Sequence, residues 1–342
     1  MNELYIIILN WNGFEDTKQC LISLRNENNL NYTIILVDNH SEEDEYVRLE
    51  HYCKQNYSLC LCYNEKLAKK GGNKDDEELL NQVACQDRII LIRNSDNLGF
   101  AAGNNVALDY VLKRGKQYAL LLNNDTEILQ GSIERLFNFK LQNPKIAAVV
   151  PQIRLYESPN QIWNCGGRIT WYGARFYYYS NADISLVPQD GYKFIDYATG
   201  CALLFDVTQT GKLTERFFFG EEDFEFALRL KRMHLKAACF FPSIIYHKVG
   251  ASQKKGVNSY LGHVCLHYSM RLSDLRAYQN TINWIISFII YFISSFFMMK
   301  KHYSISICTF IKIWKCIVFN IISKKVFDKE TYLSTIKINF YD

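Results

Sequence analysis

The stretch LYIIILNWNG, from Leu4 to Gly13, decides the fold, because a continuous apolar run stops abruptly at a polar cluster. A run without alternation predicts a strand covered on both faces, as in a parallel sheet flanked by helices. Similar runs follow at Thr33–Val37, Ile89–Ile92, Tyr118–Leu122 and Ile146–Val150, with helical segments at Glu15–Arg25, Gly103–Lys113 and Ser132–Gln142. This alternation predicts an α/β protein with ligand sites outside the carboxyl ends of its strands.

The composition is that of a folded chain, with 49% hydrophobic and 22% charged residues among 342. A formal net charge of +4 is small for this length and does not favour nucleic acid as a partner. The 11 cysteines are odd in number and irregularly spaced, so we expect reduced thiols in the cytosol rather than a disulfide framework. The apolar run Leu4–Leu9 is too short for a signal-peptide core.

Polar residues follow four successive strands where the apolar runs stop. The candidates for nucleotide-sugar binding are Asn10, Asn12, Asp38, Asn97, Gly99, Asn104 and Asn124. An acid after a buried strand can accept hydrogen bonds from a nucleobase or ribose, and glycine lets the backbone approach a ligand at a helix N-terminus. Asp125 could hold a divalent cation against a diphosphate. A lone Asp after a strand is more often a helix cap, but four such clusters predict a ligand site.

Two common phosphate-binding motifs are missing from the sequence. No GxGxxG follows the first strand, and no GxxxxGK[ST] occurs anywhere. A ligand held beside a carboxylate-bound metal, without either motif, is typical of a nucleoside diphosphate-sugar.

Seven sequence blocks occur in the order known from one family. They are IIILNWNG (Ile6–Gly13), LVDNHSEED (Leu36–Asp44), NLGFAAGNN (Asn97–Asn105), LLNNDTE (Leu121–Glu127), TGCALLF (Thr199–Phe205), FFFGEEDFEFALRLK (Phe217–Lys231) and the HKVGAS stretch from His247. Over roughly residues 4–252 the chain resembles glycosyltransferase family 2, in particular its rhamnosyltransferase-like branch. The resemblance implies a GT-A fold, which is Rossmann-like with a mostly parallel sheet, and a sugar transfer with inversion.

The resemblance also implies a donor site. Asp38 would contact the base, and the loop Asn97–Asn105 the nucleotide of a dTDP- or UDP-sugar. Asn123 and Asp125 would occupy the two ends of the family's metal-binding DxD motif, with Mg²⁺ or Mn²⁺ as cofactor. His247 would lie near the metal and the diphosphate.

The catalytic candidates are Asp223 and Glu222, which match the family's ED motif. Inversion needs one carboxylate to take a proton from the acceptor hydroxyl, and we expect Asp223 to be this base, with Glu222 as its rival. Ordinary acidic residues at a helix start are the alternative. Arg229 either pairs with an acid of the motif or is solvated. Near Arg271 the family's usual Arg-Asn pair is not clear, because Leu272 follows the arginine.

Two segments leave alternatives open. The aromatic run WYGARFYYYS, Trp171–Ser180, is expected to belong to the core and sheet faces, and its alternative is a platform for a sugar or lipid acceptor. The segment His51–Asp87 interrupts the strand–helix pattern. Its charged, glycine-containing stretch KLAKKGGNKDDEELL is expected to be a surface excursion, with a helix at its end.

The C-terminal region has the character of a membrane-associated segment. The 18 residues from Ile282 to Met299 carry no charge, and this length is the lower limit for a membrane span. The segment Tyr303–Ile322 suits an interfacial amphipathic helix better. Between Thr281 and Phe327 there are six lysines and no acid, which favours an anionic membrane surface. A buried helical hairpin is the alternative. If the region is a separable anchor, removal of residues after about Asp274 should leave donor hydrolysis measurable.

These observations predict three parts and one principal function. Residues 1–265 form the GT-A domain, with a nucleotide-sugar-binding half (1–127) and an acceptor and catalytic-base half (128–265), and residues 266–342 form the membrane-associated region. The function is transfer of rhamnose or another hexose to a lipid-linked or cell-envelope glycan at the cytoplasmic face of the cell membrane. The alternatives are a membrane-anchored, non-catalytic nucleotide-sugar-binding scaffold and a nucleotidyltransferase, which would need a triphosphate loop that LNWNGFED does not offer.

Overall fold

The computed structural model of the chain describes residues 2–25, 27, 30–249 and 260–340, so the end of the HKVGAS block lies outside the described residues. The strands are β1 Leu4–Asn10, β2 Tyr32–Asp38, β3 Leu59–Asn64, β4 Arg88–Arg93, β5 Tyr118–Asn123, β6 Thr126–Ile128, β7 Ile146–Leu155, β8 Ile162–Asn164, β9 Gly167–Ile169, β10 Arg175–Tyr177, β11 Tyr192–Ile195, β12 Ala202–Asp206 and β13 Lys236–His247. The helices are α1 Phe14–Leu24, α2 Glu43–Asn56, α3 Glu65–Ala68, α4 Lys74–Leu80, α5 Gly99–Lys113, α6 Ser132–Gln142, α7 Val207–Thr210, α8 Glu222–Arg232, α9 Tyr260–Tyr278, α10 Thr281–Tyr303, α11 Ile307–Ser323 and α12 Lys329–Ile336.

One large sheet forms the centre of the molecule, in the order β11-β13-β7-β12-β5-β1-β2-β4-β3. The neighbours β5, β1, β2, β4 and β3 are all parallel, and β12 is antiparallel to β5 and β7. Two apolar clusters cover its faces, so the strands of the parallel part are buried almost completely. The predicted α/β architecture with a mostly parallel sheet is confirmed.

The segment His51–Asp87 is more than a surface excursion. It completes α2 and then supplies β3, the edge strand of the sheet, before the predicted helix α4. The buried carboxylate of Glu77 on α4 accepts hydrogen bonds from Tyr63 Oη at 3.0 Å and from Tyr110 Oη at 2.6 Å. Sequence analysis missed β3 because its alternating pattern, with outward cysteines, lacks the continuous apolar run of a central strand.

The C-terminal helices pack onto the sheet domain through α9, which runs unbroken across residue 265. Phe327, beyond α11, lies against the start of the block Phe217–Lys231, called the catalytic-motif block below. Its N–H donates to Arg216 O at 2.7 Å and its carbonyl accepts from Phe218 N at 2.8 Å. Truncation after Asp274 would remove these two backbone hydrogen bonds, so it would alter the surroundings of Arg216 and Phe218 as well as the C-terminal region. The expectation of a separable anchor stays a prediction. The division of the chain at residue 265 stays a prediction.

Helix α10 has a buried face and an exposed apolar face. Tyr291, Ser295 and Met299 point inward, with Trp284 packed beside them. The outward stripe follows helical spacing and is formed by Ile282, Ile285, Ile286, Ile289, Ile293 and Phe297, which are 40–72% exposed. Among the described residues α10 alone is long and apolar enough to cross a membrane, and only 17% of its most apolar window is buried. This exposure counts against the buried hairpin.

Gly99, at the first position of α5, joins the two halves of the domain. Its φ of +81° is in the left-handed region, and a Cβ there would lie 1.9 Å from Phe218 O. The neighbouring Phe100 N donates to the same carbonyl at 3.1 Å. The close approach of α5 to the catalytic-motif block thus requires glycine at this position.

We predict that Gly99→Ala lowers the free energy of unfolding by about 3 kcal/mol or more, because the methyl group adds a backbone clash to the strain of a positive φ. Gly115→Ala is the matched control, since Gly115 has a φ of +67° with nothing within 4 Å of an added Cβ. It should cost about 1 kcal/mol. Urea-induced unfolding measures both, and equal losses would refute a role for the contact with Phe218.

Candidate active site

A network of buried polar side chains joins the carboxyl ends of β1, β2 and β5. Asn10 lies opposite Asp38 in the parallel register of β1 and β2. Its Nδ2 donates to Asp38 Oδ1 at 3.1 Å and to Ser41 Oγ at 3.2 Å, and its Oδ1 accepts from Thr17 Oγ1 at 3.0 Å. Asn124 Nδ2 donates to the same Thr17 Oγ1 at 3.0 Å. These contacts hold three of the predicted nucleotide-sugar-binding residues in one rigid cluster.

Asn39, which sequence analysis did not single out, connects this cluster to the loop before α5. Its Nδ2 donates to Asn97 Oδ1 at 3.0 Å and to Gly99 O at 3.1 Å, and its Oδ1 accepts from Asn94 Nδ2 and Leu98 N. The signal for it was its position directly after Asp38, at the end of the same strand.

The remaining predicted donor-site residues are Asn12 and Asn104. Asn12 has a φ of +51° and accepts from Glu42 N at 2.7 Å, which ties the turn after β1 to the start of α2. Asn104 is buried within α5, where its Nδ2 donates to Phe100 O at 2.9 Å. Asn104 is therefore placed to hold the first turns of α5.

Asp125 and His247 are brought together by the antiparallel pairing of β6 with the end of β13. His247 Nε2 lies 3.2 Å from Asp125 Oδ1, and both side chains are nearly buried. Burial opposes a charged imidazole, but Cys201 and Asp125 together raise the pKa of His247 to about 10. Asn123 ends β5 two residues earlier, and its N–H donates to Cys201 O at 2.8 Å.

The Asp125–His247 pair offers two groups that a divalent cation can bind. His247 Nδ1 is a buried atom that lacks a hydrogen-bond partner among the described residues, and Asp125 Oδ1 has the 3.2 Å contact with His247 Nε2. Carboxylate oxygen and neutral imidazole nitrogen are both ligands that Mn²⁺ accepts, so a cation here would take the place of the imidazole proton. The described residues contain no group of three or more His, Cys, Asp or Glu side chains able to hold a metal. The pair therefore fits a cation that takes its remaining ligands from a diphosphate and water.

Asp223 lies in the first turn of α8, with its side chain 24% exposed. Its Oδ2 accepts a short hydrogen bond from Tyr197 Oη, and Arg175 Nη1 lies 3.6 Å from its Oδ1. Burial raises the pKa of Asp223 above its ordinary value, against the opposing charge of Arg175. The helix N-terminus also favours the ionised carboxylate. Arg175, missed by sequence analysis, was the one arginine inside the aromatic run.

The two acids before Asp223 have different environments. Glu222 turns back to accept hydrogen bonds from Gly220 N at 2.8 and 3.0 Å, and burial beside Asp223 and Glu221 raises its pKa to about 8. Glu221 is equally buried, but the charges of Arg271 and Arg175 outweigh that burial and hold its pKa well below the usual range. At neutral pH, Glu222 is thus mostly protonated and Glu221 is ionised.

Arg271 of α9 is the main partner of Glu221, which also lies 2.9 Å from His267 Nδ1 and 3.6 Å from Arg175 Nη2. Arg271 Nε donates to Glu221 Oε2, its Nη1 donates to Gly173 O at 2.9 Å, and its guanidinium lies 3.7 Å from the centre of the Phe224 ring. The side chains of Arg271 and Glu221 are both 3% exposed. Farther along α8, Arg229 pairs with Glu225 at 3.3 Å, so its partner is an acid outside the ED motif and it is not simply solvated.

These elements define a fold class. A mostly parallel central sheet flanked by helices, with polar side chains at its strand ends, is the GT-A fold. Residues 71–210 match the family model described as Glycosyl transferase family 2.

Two known proteins are similar to the chain. Over 218 residues it is 27% identical to the low-salt glycan biosynthesis hexosyltransferase Agl10 of Haloferax volcanii; the match spans 59% of this chain and 62% of the relative, less than two thirds of its length. Among solved structures, the mannosyltransferase PcManGT from Pyrobaculum calidifontis, in complex with GDP-Man and Mn²⁺, gives a TM-score of 0.50. That match covers 93% of this chain and 84% of the other at 10% identity, so it concerns the fold alone.

We predict that Arg271→Met destabilises the protein by about 3–5 kcal/mol at pH 7, because it leaves the charge of Glu221 buried without its main partner. The loss should shrink as the pH falls towards 5, since an unpaired buried carboxyl has a raised pKa and gains stability on protonation. Denaturant unfolding at the two pH values measures this.

Arg276→Met is the control for Arg271→Met, because Arg276 is exposed on the same helix. The double variant Glu221→Gln/Arg271→Met should recover part of the stability by removing the stranded charge. Equal effects of the two arginine substitutions, or no recovery in the double variant, would contradict the assignment.

Proposed function

We propose that the protein is an inverting glycosyltransferase that moves rhamnose or another hexose from a nucleoside diphosphate to a hydroxyl of a lipid-linked or cell-envelope glycan. The observation that carries the proposal is the partly exposed Asp223 carboxylate at the start of α8, held by Tyr197 and Arg175. The similarity of the chain to a hexosyltransferase of glycan biosynthesis supports a hexose as the transferred sugar and a glycan as the acceptor. A dTDP- or UDP-sugar is the proposed donor, with a GDP-sugar as the alternative suggested by the ligand of PcManGT.

Asp223 acts as the general base in this proposal. Inversion requires a carboxylate that takes the proton of the acceptor hydroxyl while that oxygen attacks the anomeric carbon. Glu222 is less suited, because it is buried against Gly220 and protonated at neutral pH. Tyr197 and Arg175 fix the orientation of the Asp223 carboxylate. Arg271 binds Glu221, two residues earlier in the chain, and so holds the start of α8 in place.

The donor is proposed to bind at the strand ends. The rigid cluster around Asn10 and Asp38 would receive the base and ribose, and the Asn97–Gly99 loop at the start of α5 the diphosphate. Asp125 and His247 would hold Mg²⁺ or Mn²⁺, with Asn123 at the other end of the motif. A divalent cation there supplies positive charge to the departing diphosphate.

The outer faces of α10 and α11 are proposed to bind the cytoplasmic face of the cell membrane. The isoleucine stripe of α10 is accompanied on α11 by exposed Ile307, Ile311 and Ile322. Exposed lysines accompany these faces at Lys300, Lys301, Lys312, Lys315, Lys324 and Lys325. Apolar side chains flanked by lysines suit an interfacial position on anionic lipid.

The donor experiment screens the purified full-length protein against dTDP-, UDP- and GDP-sugars, with Mg²⁺, Mn²⁺ or EDTA. We expect metal-dependent binding of one donor and slow hydrolysis, which Asp223→Asn should lower about 10²- to 10⁴-fold by removing the base. The wild-type rate should fall as the pH drops below the raised pKa of Asp223, and this acid limb should vanish in the variant.

Glu222→Gln separates the two catalytic candidates. Glutamine has the shape of a protonated glutamic acid, so this variant should lose far less activity than Asp223→Asn. A larger loss in Glu222→Gln would transfer the role of base to Glu222. If no nucleotide sugar binds under any metal condition, the proposed function fails; binding without turnover by the wild type would favour a non-catalytic scaffold.

We predict that Ile286→Glu/Ile293→Glu weakens binding to phosphatidylglycerol vesicles at least about tenfold. Burial of each isoleucine side chain in the membrane otherwise contributes about 1.5–3 kcal/mol to the free energy of binding. Co-sedimentation measures binding. The control is Val47→Glu/Leu79→Glu, which alters two apolar side chains of similar exposure on α2 and α4. Equal binding of the two double variants, or wild-type binding that does not need anionic lipid, would refute this docking face.

A further inference from the structure

The hairpin formed by β9 and β10 places the aromatic run beside the catalytic carboxylate. Gly167 of β9 donates its N–H to Tyr197 O at 3.0 Å and accepts from Tyr197 N at 3.1 Å. A Cβ on Gly167 would lie 2.4 Å from Phe176 O, so glycine is needed for the hairpin to pack there. On the other side, Gly173 O accepts from Arg271 at 2.9 Å. The hairpin is therefore held at both of its ends.

The two faces of β10 have different neighbours. Alternation puts Arg175 and Tyr177 on one face, where Arg175 approaches Asp223 and the Tyr177 ring packs edge-on against Tyr197, 5.6 Å between centroids. Phe176 points to the opposite face, where Arg168 lies 4.9 Å from its ring centre. Tyr177 is 42% exposed and Phe176 is 45% exposed. Within the run, Tyr177 and Phe176 thus lie on exposed faces of a strand, whereas Tyr178 and Tyr179 pack against the core.

We propose that Tyr177 forms an acceptor subsite that stacks on a sugar ring and presents one of its hydroxyls to Asp223. This inference rests on the proposed function and specifies the acceptor as a pyranose rather than a lipid group. Tyr177 is the exposed member of the Tyr177–Tyr197 pair and provides the aromatic surface. Tyr197 is the buried member and donates the hydrogen bond to Asp223. A ring bound on Tyr177 would therefore lie next to the base.

The chemistry around Tyr177 favours a sugar over an acyl chain. A pyranose has an apolar C–H face that packs on an aromatic ring and a rim of hydroxyls that need polar partners. Tyr177 provides the aromatic ring, while Arg175 and Asp223 provide a donor and an acceptor on the same face of the hairpin. An acyl chain would displace the water that reaches these two partly exposed charged groups and would offer them no hydrogen bond in return, which is unfavourable.

The experiment measures transfer from the donor found in the screen to octyl glucoside, octyl galactoside and octyl mannoside. We expect one glycoside to be glycosylated, and Tyr177→Ala to raise the KM for it about tenfold or more, while the KM for the donor changes little. Tyr177→Trp, which keeps an aromatic face, should restore most of the affinity. Phe176→Ala is the matched control, because it removes an equally exposed ring from the other face of the same strand.

Each other outcome has a defined meaning. Donor hydrolysis by the wild type without transfer to any of the three glycosides would overturn the sugar subsite and leave the proposed function standing. Equal effects of Tyr177→Ala and Phe176→Ala, or an unchanged glycoside KM in Tyr177→Ala, would also overturn it. A loss confined to kcat in Tyr177→Ala would assign Tyr177 to the positioning of Tyr197 instead. Failure to bind any donor would remove the ground for both proposals.

Discussion

The parallel pairing of β1 with β2 and β5 fixes the geometry of the donor end of the site. It sets Asn10 opposite Asp38 and Leu9 opposite Asn123, so the polar residues that terminate three strands reach one edge of the sheet together. A register slip of one residue would turn these side chains to the opposite face. The burial of both sheet faces makes such a slip costly. The packing of the hydrophobic core therefore fixes the relative positions of these polar side chains.

Three consecutive acids at the start of α8 have different surroundings, because successive helical residues point about 100° apart. Glu221 faces α9 and is kept ionised by Arg271, while Glu222 folds back on Gly220 and is protonated at neutral pH. Only Asp223 reaches the partly exposed face with Tyr197 and Arg175. One short acidic sequence thus provides an anchor, a neutral acid and an ionisable carboxylate that solvent and substrate can reach.

The C-terminal helices make side-chain contacts with the segment around α8. Asp274 of α9 pairs with Arg216 at 2.9 Å, and Tyr278 donates to Glu225, so α9 contacts the catalytic-motif block at several buried points. The same region carries the exposed apolar stripe of α10.

The sequence by itself determined the central strands, the start of α8 and the polar strand ends, since these depend on local hydrophobic runs and on short motifs. It did not reveal the edge strand β3, whose weak pattern becomes a strand only through pairing with β4. Nor did it reveal Arg175, Tyr197 and Arg271, which lie up to 96 residues apart and act only where the fold brings them to Glu221 and Asp223. Such partners were decided by the tertiary structure, because a buried charge is stabilised by whichever group packing places beside it, and sequence separation carries no information about that.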